Sequence, residues 1–407
     1  MTEDSNQSDP TGTGTSTRLN RRTFLGTAGA SMVLGLAGCS GGDGGDGSSG
    51  SDGSSGSDGS DGSDGSSGGS GGSTDNSMPF EGQTLRVTTW SGSYTDRFRN
   101  TIKQWYEEET GATLQVIPGW TEILSQIRSA PENNPPYDVT ITDGYYYFQG
   151  RNDDLFQPVR YDNIPNYEGV HQFLKEFRGD NNEYGVPVDG EPIAMPYRSG
   201  IDFEPSTWSD LQSDQAQNIT LEGGFYAYPM QIGAIIADQL PGTDEMYDEQ
   251  YHDAPWDALS SLDVSSWYSS GAEVWQQLRQ GIADIGQYYY ATSKAKARDD
   301  STDLDLTVPE VTGGYFDNFC VVRGTDKRDM AEHYLNFLLD PEIQSRWSEV
   351  SWEIKSHSEC EYPDFVAEDL PTTNSGMKES LNFPNWEYLT DRSDKFNQAF
   401  NETKQST

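Results

Sequence analysis

Leu85-Arg86-Val87-Thr88-Thr89-Trp90, Thr113-Leu114-Gln115-Val116-Ile117 and Asp138-Val139-Thr140-Ile141-Thr142 are three short runs rich in β-branched residues, and what separates them decides the fold. Such runs suit strands, because branched side chains pack well on a pleated surface. Between the first two, residues 95–109 carry Phe98, Ile102, Trp105 and Tyr106 at helical spacing, with Gly111 as the stop. Residues 121–128 give a second helix with Ile123, Leu124 and Ile127 inward. This alternation predicts an α/β protein with a mostly parallel, helix-covered sheet. Ligands of such sheets sit outside the carboxyl ends of the strands, which puts residues 90–94 and 143–147 at one rim. Of Tyr145-Tyr146-Tyr147-Phe148, at least two rings are expected to pack in the core instead.

Downstream, residues 184–187 and 193–197 read as extended, 208–211 as a short helix and 218–221 as a strand. Residues 232–240 read as a helix and the acidic stretch 244–253 as an exposed loop. A helix over 267–278 leads through Gly281-Ile282-Ala283-Asp284-Ile285, a turn into a strand. Strands follow at 303–308 and 315–322. Asp326 is placed to cap a helix running through Met330, Tyr334 and Phe337-Leu338, and Asp340-Pro341 marks the start of another, with Ile343 and Trp347 inward.

Upstream lies a segment of another kind. Arg21 and Arg22 precede Thr23-Phe24-Leu25 and a small, apolar run that ends Leu36-Ala37-Gly38-Cys39. Positive region, apolar region, small residues: this is the order of a secretory signal. The apolar run, roughly fourteen residues, falls short of the about 20 that span a membrane. The paired arginines resemble a twin-arginine signal, and the closing residues resemble a lipoprotein signal, which implies lipid on Cys39. Residues 40–79 are nearly all Gly, Ser and Asp and cannot bury enough surface to offset ordering entropy. As a random coil, the stretch from 40 to 77, about 38 residues, spans roughly 35 Å, a tether between membrane and folded body.

The formal net charge of -40 excludes a nucleic-acid partner, since phosphate binding needs clustered Lys and Arg. Dense carboxylates keep a surface hydrated in very salty water, and at about 1 M salt a Debye length of roughly 3 Å leaves net charge unable to steer a ligand. The charge therefore describes a halophilic milieu rather than a substrate. Cys320 and Cys360 lack metal-ligand spacing; a disulfide and two separate thiols both remain open.

The order of five segments is similar to that of extracellular solute-binding proteins of ABC importers, in the spermidine/putrescine-binding branch. They are Trp90-Ser91-Gly92-Ser93-Tyr94, Tyr184-Gly185-Val186-Pro187, Gly281-Ile282-Ala283-Asp284-Ile285, Gly314-Tyr315-Phe316-Asp317-Asn318, and Asn336-Phe337-Leu338-Leu339-Asp340-Pro341-Glu342. The resemblance implies a two-lobed, periplasmic-binding-protein-like fold of type II, with mixed sheets covered by helices and hinge-linked lobes. It implies a first lobe over 80–195, a second over 196–312, and a return to the first with C-terminal helices over 313–407. The partners it implies are a small cationic solute and a permease–ATPase complex, for a monomer lipid-anchored through Cys39 at the extracellular face, with no cofactor and no metal. By position in the family, Trp90, Tyr94, Tyr145, Tyr289 and Tyr315 would offer aromatic faces to a polyamine and Asp317 its key carboxylate. Glu222 is the one acid of the 221–225 loop able to serve as a second. Tyr stands at 289 and 315 where the family usually has Trp, which leaves polyamine length open.

Two rivals bear on chemistry. Tyr288-Tyr289-Tyr290 invites comparison with ferric-ion receptors of the same fold, which use tyrosine phenolates, but no partner histidine is well placed. A secreted hydrolase would need a nucleophile elbow or a zinc motif; the four histidines, His171, His252, His333 and His357, stand in none. A surface adhesion protein would suit the tether but not the α/β alternation. The reading is a receptor, not an enzyme.

Overall fold

A computed structural model describes residues 78–179 and 183–407. Arg21, Arg22, Cys39 and nearly all of the Gly/Ser/Asp segment lie outside the described residues.

The three opening runs are strands β1 (Thr84–Trp90), β2 (Thr113–Gly119) and β3 (Val139–Thr142). β1 pairs in parallel with both others, Leu85 opposite Leu114 and Val87 opposite Val139. All four residues of β3 are buried, as in a strand covered on both faces. Its two threonines avoid the cost of burial by local bonding, Thr140 to the Thr88 hydroxyl at 2.9 Å and Thr142 to the Asn318 carbonyl at 3.2 Å.

The connection expected as one helix is two, Ser93–Asn100 and Ile102–Thr110. They break at Thr101 (φ -132°, ψ -86°), whose hydroxyl donates back to the Arg97 carbonyl at 2.7 Å. Short hydroxyl side chains compete in this way with the helix ladder. Phe98, Ile102 and Tyr106 still face inward, and Gly111 ends the second helix in the left-handed region at φ 69°.

The remaining strands are β4 (Gly185–Arg198), β5 (Ile219–Glu222), β6 (Val264–Tyr268), β7 (Ile285–Gly286), β8 (Tyr288–Tyr289), β9 (Leu304–Thr307), β10 (Thr312–Val321), β11 (Ile354–Lys355) and β12 (Leu381–Asn382). The hydrogen-bonded order is β2-β1-β3-β10-β4-β7-β5-β6, with β8, β9 and β11 on β4 and β12 on β10. β4 belongs to both halves. Residues 185–192 pair antiparallel with β10, and residues 193–198 pair with β8, β9 and β7. The result is a mixed, helix-covered sheet system in which β4 links the part around β1–β3 to the part around β5–β7. At Gly190 a Cβ would run into the Tyr315 carbonyl, so β4 and β10 approach there as closely as only glycine allows.

Four sequence expectations change. Trp267 lies in β6, opposite Leu221, and the helix begins only at Gly271. Val264, Trp267 and Tyr268 suit a strand, and the Glu273 carboxylate accepts the Ser269 N–H at 2.6 Å where the helix is about to start. The helix expected at 232–240 is Ala227–Ile236; it is buried on nearly every side, which erases the amphipathic period that marks a surface helix. The acidic stretch 244–253 is exposed over much of its length, as expected, but is not a plain loop: it forms two short 3-10 helices, Thr243–Tyr247 and Glu249–Tyr251, and buries Met246 and His252. Asp326 is not a cap, Lys327 holding that position, whereas Asp340 accepts the N–H groups of Glu342 and Ile343 at 2.9 and 3.3 Å.

The last helix, Ser393–Ser406, packs Phe396 and Phe400 against Trp256, and Lys404 donates to the Gly223 carbonyl at 2.8 Å. It therefore packs on elements of residues 196–312. Cys320 is buried and Cys360 half-buried, and both thiols are free.

Candidate functional site

Three parallel strands deliver their carboxyl ends to one place. β1 ends at Trp90; Trp120 follows the end of β2; Asp143 follows β3 and caps the helix Gly144–Asn152, accepting the Tyr146 N–H at 2.9 Å. From the other side come Tyr228, on the buried helix Ala227–Ile236, and Tyr289, the last residue of β8. Tyr315 and Asp317, two apart on β10, form one face of the floor. With Tyr146, these residues enclose a cavity of about 100 Å³, several times the roughly 10–15 Å³ that one water needs.

The walls are aromatic. Trp90 and Trp120 stack at 5.2 Å between ring centres and 16° between planes, with Trp120 exposed by 53% at the mouth. Tyr289 meets Tyr315 edge-on at 5.3 Å and Tyr228 edge-on at 5.6 Å. Two carboxylates line the cavity, Asp143 and Asp317, and among the described residues no lysine, arginine or histidine does.

Asp317 is the chemical centre. It is 1% exposed, and its Oδ1 has no hydrogen-bond partner among the described residues. Burial, then the charge of Asp189, hold its carboxyl well above the ordinary range, while a side-chain hydrogen bond from Trp90 works the other way. Burial likewise pushes Asp143 up to about 6, against backbone N–H bonds that lower it. A cation placed among these groups would relieve the cost of each charge.

Trp90, Tyr289, Tyr315 and Asp317 therefore stand together in the cavity, and the other three sequence candidates stand around it. Tyr94 lies beneath, its ring stacked on Phe98 and its hydroxyl 3.3 Å from both oxygens of Asp189. Tyr145 packs edge-on against Phe225 and Trp386. Glu222 is half-buried at the end of β5, with its backbone N–H held by Gln287 at 3.0 Å. Burial raises its carboxyl to about 7, and its charge is felt at Tyr228 and Tyr289. Sequence reasoning passed over Trp120 and Tyr228. Neither carries a local signal: one is a lone exposed ring after a strand, the other part of an apolar helix.

The three tyrosines that suggested iron do not act together. Tyr290 donates to Asp369 at 2.7 Å, and Tyr288 packs against Trp275 and Tyr268. Only Tyr289 faces the cavity. Among the described residues no group of three His, Cys, Asp or Glu could hold a metal ion, and no helix is long and apolar enough to cross a membrane.

Comparison with known proteins identifies the family and the fold. Residues 101–370 match the family model described as bacterial extracellular solute-binding protein. No protein of curated function matches the sequence. Among solved structures, the spermidine/putrescine ABC transporter substrate-binding protein PotD from Streptococcus pneumoniae is 18% identical. The match covers 80% of this chain and 99% of that one, with a TM-score of 0.66. An ABC transporter substrate-binding protein from Bradyrhizobium japonicum is 16% identical over 79% of this chain and 99% of its own, with a TM-score of 0.67. The binding protein AgtB from A. tumefaciens, solved with agropinic acid, is 16% identical over 79% and 98%, with a TM-score of 0.60. At such identities the likeness is one of fold.

Proposed function

The chain belongs to the bacterial extracellular solute-binding proteins, and from that membership we propose that it is the receptor of an ABC importer for a small organic dication, a polyamine of the putrescine and spermidine class. The observation that carries the ligand class is Asp317, a buried carboxylate with an unpartnered oxygen on the floor of an aromatic cavity. An ammonium group there gains a charge-assisted hydrogen bond worth about 1.5–3 kcal/mol. Aromatic faces add up to about 2 kcal/mol of cation–π attraction once desolvated. An anionic solute would meet two carboxylates and, among the described residues, no positive side chain in the lining. The cavity is small, which favours a short diamine over a longer polyamine.

The remaining parts of the proposal concern setting. A lipid at Cys39 and the Gly/Ser/Asp tether would hold a monomeric receptor at the outer face of the membrane, within reach of its permease. The net charge of -40 suits brine. Closure of the two halves about β4 and β10 would report a loaded site to the transporter.

Calorimetric titration with putrescine and spermidine tests the ligand class. Saturable heat with a thermal shift is expected; no heat and no shift at millimolar amine would reject it. A visible absorption band on adding ferric iron would favour the tyrosinate reading instead.

A further inference from the structure

Beneath the cavity, three adjacent strands carry a row of charges on one face. Asp317 on β10 is the cross-strand partner of Asp189 on β4, and Asp189 is the partner of Lys355 on β11. Directly opposite residues of a pleated sheet share a face, so the row reads carboxylate, carboxylate, ammonium. The Lys355 side chain is 0% exposed, and its Nζ donates to Asp189 Oδ2 and to Glu353 Oε2, both at 3.2 Å. The Trp347 ring lies 5.2 Å from the same nitrogen, and the Trp347 indole N–H donates to Asp189 at 2.5 Å.

The two carboxylates of the row are thus built alike. Each is buried and each has an indole for company: Asp189 accepts the Trp347 N–H, and Trp90 lines the same cavity as Asp317. They differ in one respect. Asp189 has a primary ammonium beside it, held between carboxylates and an aromatic ring, whereas Asp317 lines the cavity and its Oδ1 has no hydrogen-bond partner among the described residues. A buried carboxylate is retained only where a positive charge or hydrogen bonds compensate it. The chain supplies that charge to the first and leaves it to a ligand at the second.

We propose that Lys355 is a specificity-determining residue, a tethered ammonium that fills the inner of two matched carboxylate–indole positions, so that the row accepts one ammonium from a ligand and not two. This rests on the polyamine reading for its ligand, though not for the place of Lys355. Removing the side chain beyond Cβ opens the inner position to a longer polyamine, whose extra ammonium then lies against Asp189 and Glu353.

Beyond Cβ, lysine is a propylammonium ion, and that ion is the probe. Lys355→Ala leaves Asp189 without its cation and Glu353 with Arg97 at 3.5 Å in place of two cations, and should lower Tm by roughly 5 °C or more. Propylammonium at about 50 mM should restore a good part of that loss by binding only the folded state. Propanol, sodium and tetramethylammonium at the same concentration should not. Lys355→Met keeps the volume but not the charge, so propylammonium finds no room and gives no rescue. In calorimetry the ratio of spermidine to putrescine affinity should rise by about tenfold or more in Lys355→Ala relative to the parent chain. Rescue no better than that by propanol, or an unchanged ratio, overturns the proposal. Should Lys355→Ala not fold alone, refolding yield with and without propylammonium gives the same decision. If the parent binds neither amine while propylammonium still rescues Lys355→Ala, the polyamine ligand is wrong and the place of Lys355 stands.

Discussion

Replacing Asp317 by asparagine separates ligand chemistry from architecture. Asparagine has nearly the same shape and keeps an oxygen that can accept from Trp90, but it carries no charge. A ligand ammonium then loses a charge-assisted hydrogen bond worth about 1.5–3 kcal/mol. At about 1.4 kcal/mol per factor of ten, that is about 10- to 150-fold in Kd. The unliganded protein moves the other way. Asp317 has no positive partner among the described residues and faces Asp189 across the strand pair, so removing its charge relieves both desolvation and repulsion. Thermal unfolding of empty Asp317→Asn should therefore occur at the same temperature as the parent or a higher one. Calorimetry for Kd and scanning calorimetry for Tm read the two effects on one preparation. An affinity within about twofold of the parent would refute the ligand role. Loss of binding together with a lowered Tm would make Asp317 a structural acid instead.

Other consequences concern pH, the mouth of the site and its support. Burial holds the carboxyls of Asp143 and Glu222 up to about 6 and about 7, so the empty site keeps protons that a cation must displace. Affinity for a diamine should thus rise between about pH 5 and pH 8 and then level off, with protons released on binding; calorimetry in buffers of differing ionisation heat reads both, and affinity that falls with pH contradicts it. The same groups bind protons more tightly folded than unfolded, so the stability of the empty protein should fall as pH rises from about 4 towards 7, and ligand should oppose that fall. Trp120→Ala removes a half-exposed stacked ring at the mouth and should weaken binding about threefold to tenfold, mainly through koff, with Tm unchanged; a large Tm loss would make it a core residue. Trp347→Phe deletes the indole donor to Asp189 and should cost about 1–3 kcal/mol in denaturant unfolding, while binding at saturation persists.

How much of this was legible in the sequence depended on the range of the signal. β1, β2 and β3 announce themselves because a strand's period and β-branched content are local. β10 was visible as a long extended run and β4 only as two short pieces, 184–187 and 193–197, and their positions carried the resemblance that placed Tyr315 and Asp317. Trp267 was misread because a strand of Val-Ser-Ser-Trp-Tyr runs straight into a helix with Val274 and Leu278 inward, and the aromatic fits either period. Ala227–Ile236 began earlier than expected because a helix buried all round has no polar face to mark its start. The charge row was invisible for another reason. Lys355 and Asp189 are separated by 166 residues and Trp347 and Asp189 by 158, and no pattern within a window of sequence encodes a contact across strands.

The most direct measurement is the structure of the folded body with a diamine bound. One ammonium nitrogen should lie about 2.7–3.2 Å from Asp317 Oδ1, with the carbon chain between Trp90, Tyr289 and Tyr315. Diamine density elsewhere on the molecule, or an Asp317 carboxylate that still lacks a cationic partner at saturating ligand, would contradict it.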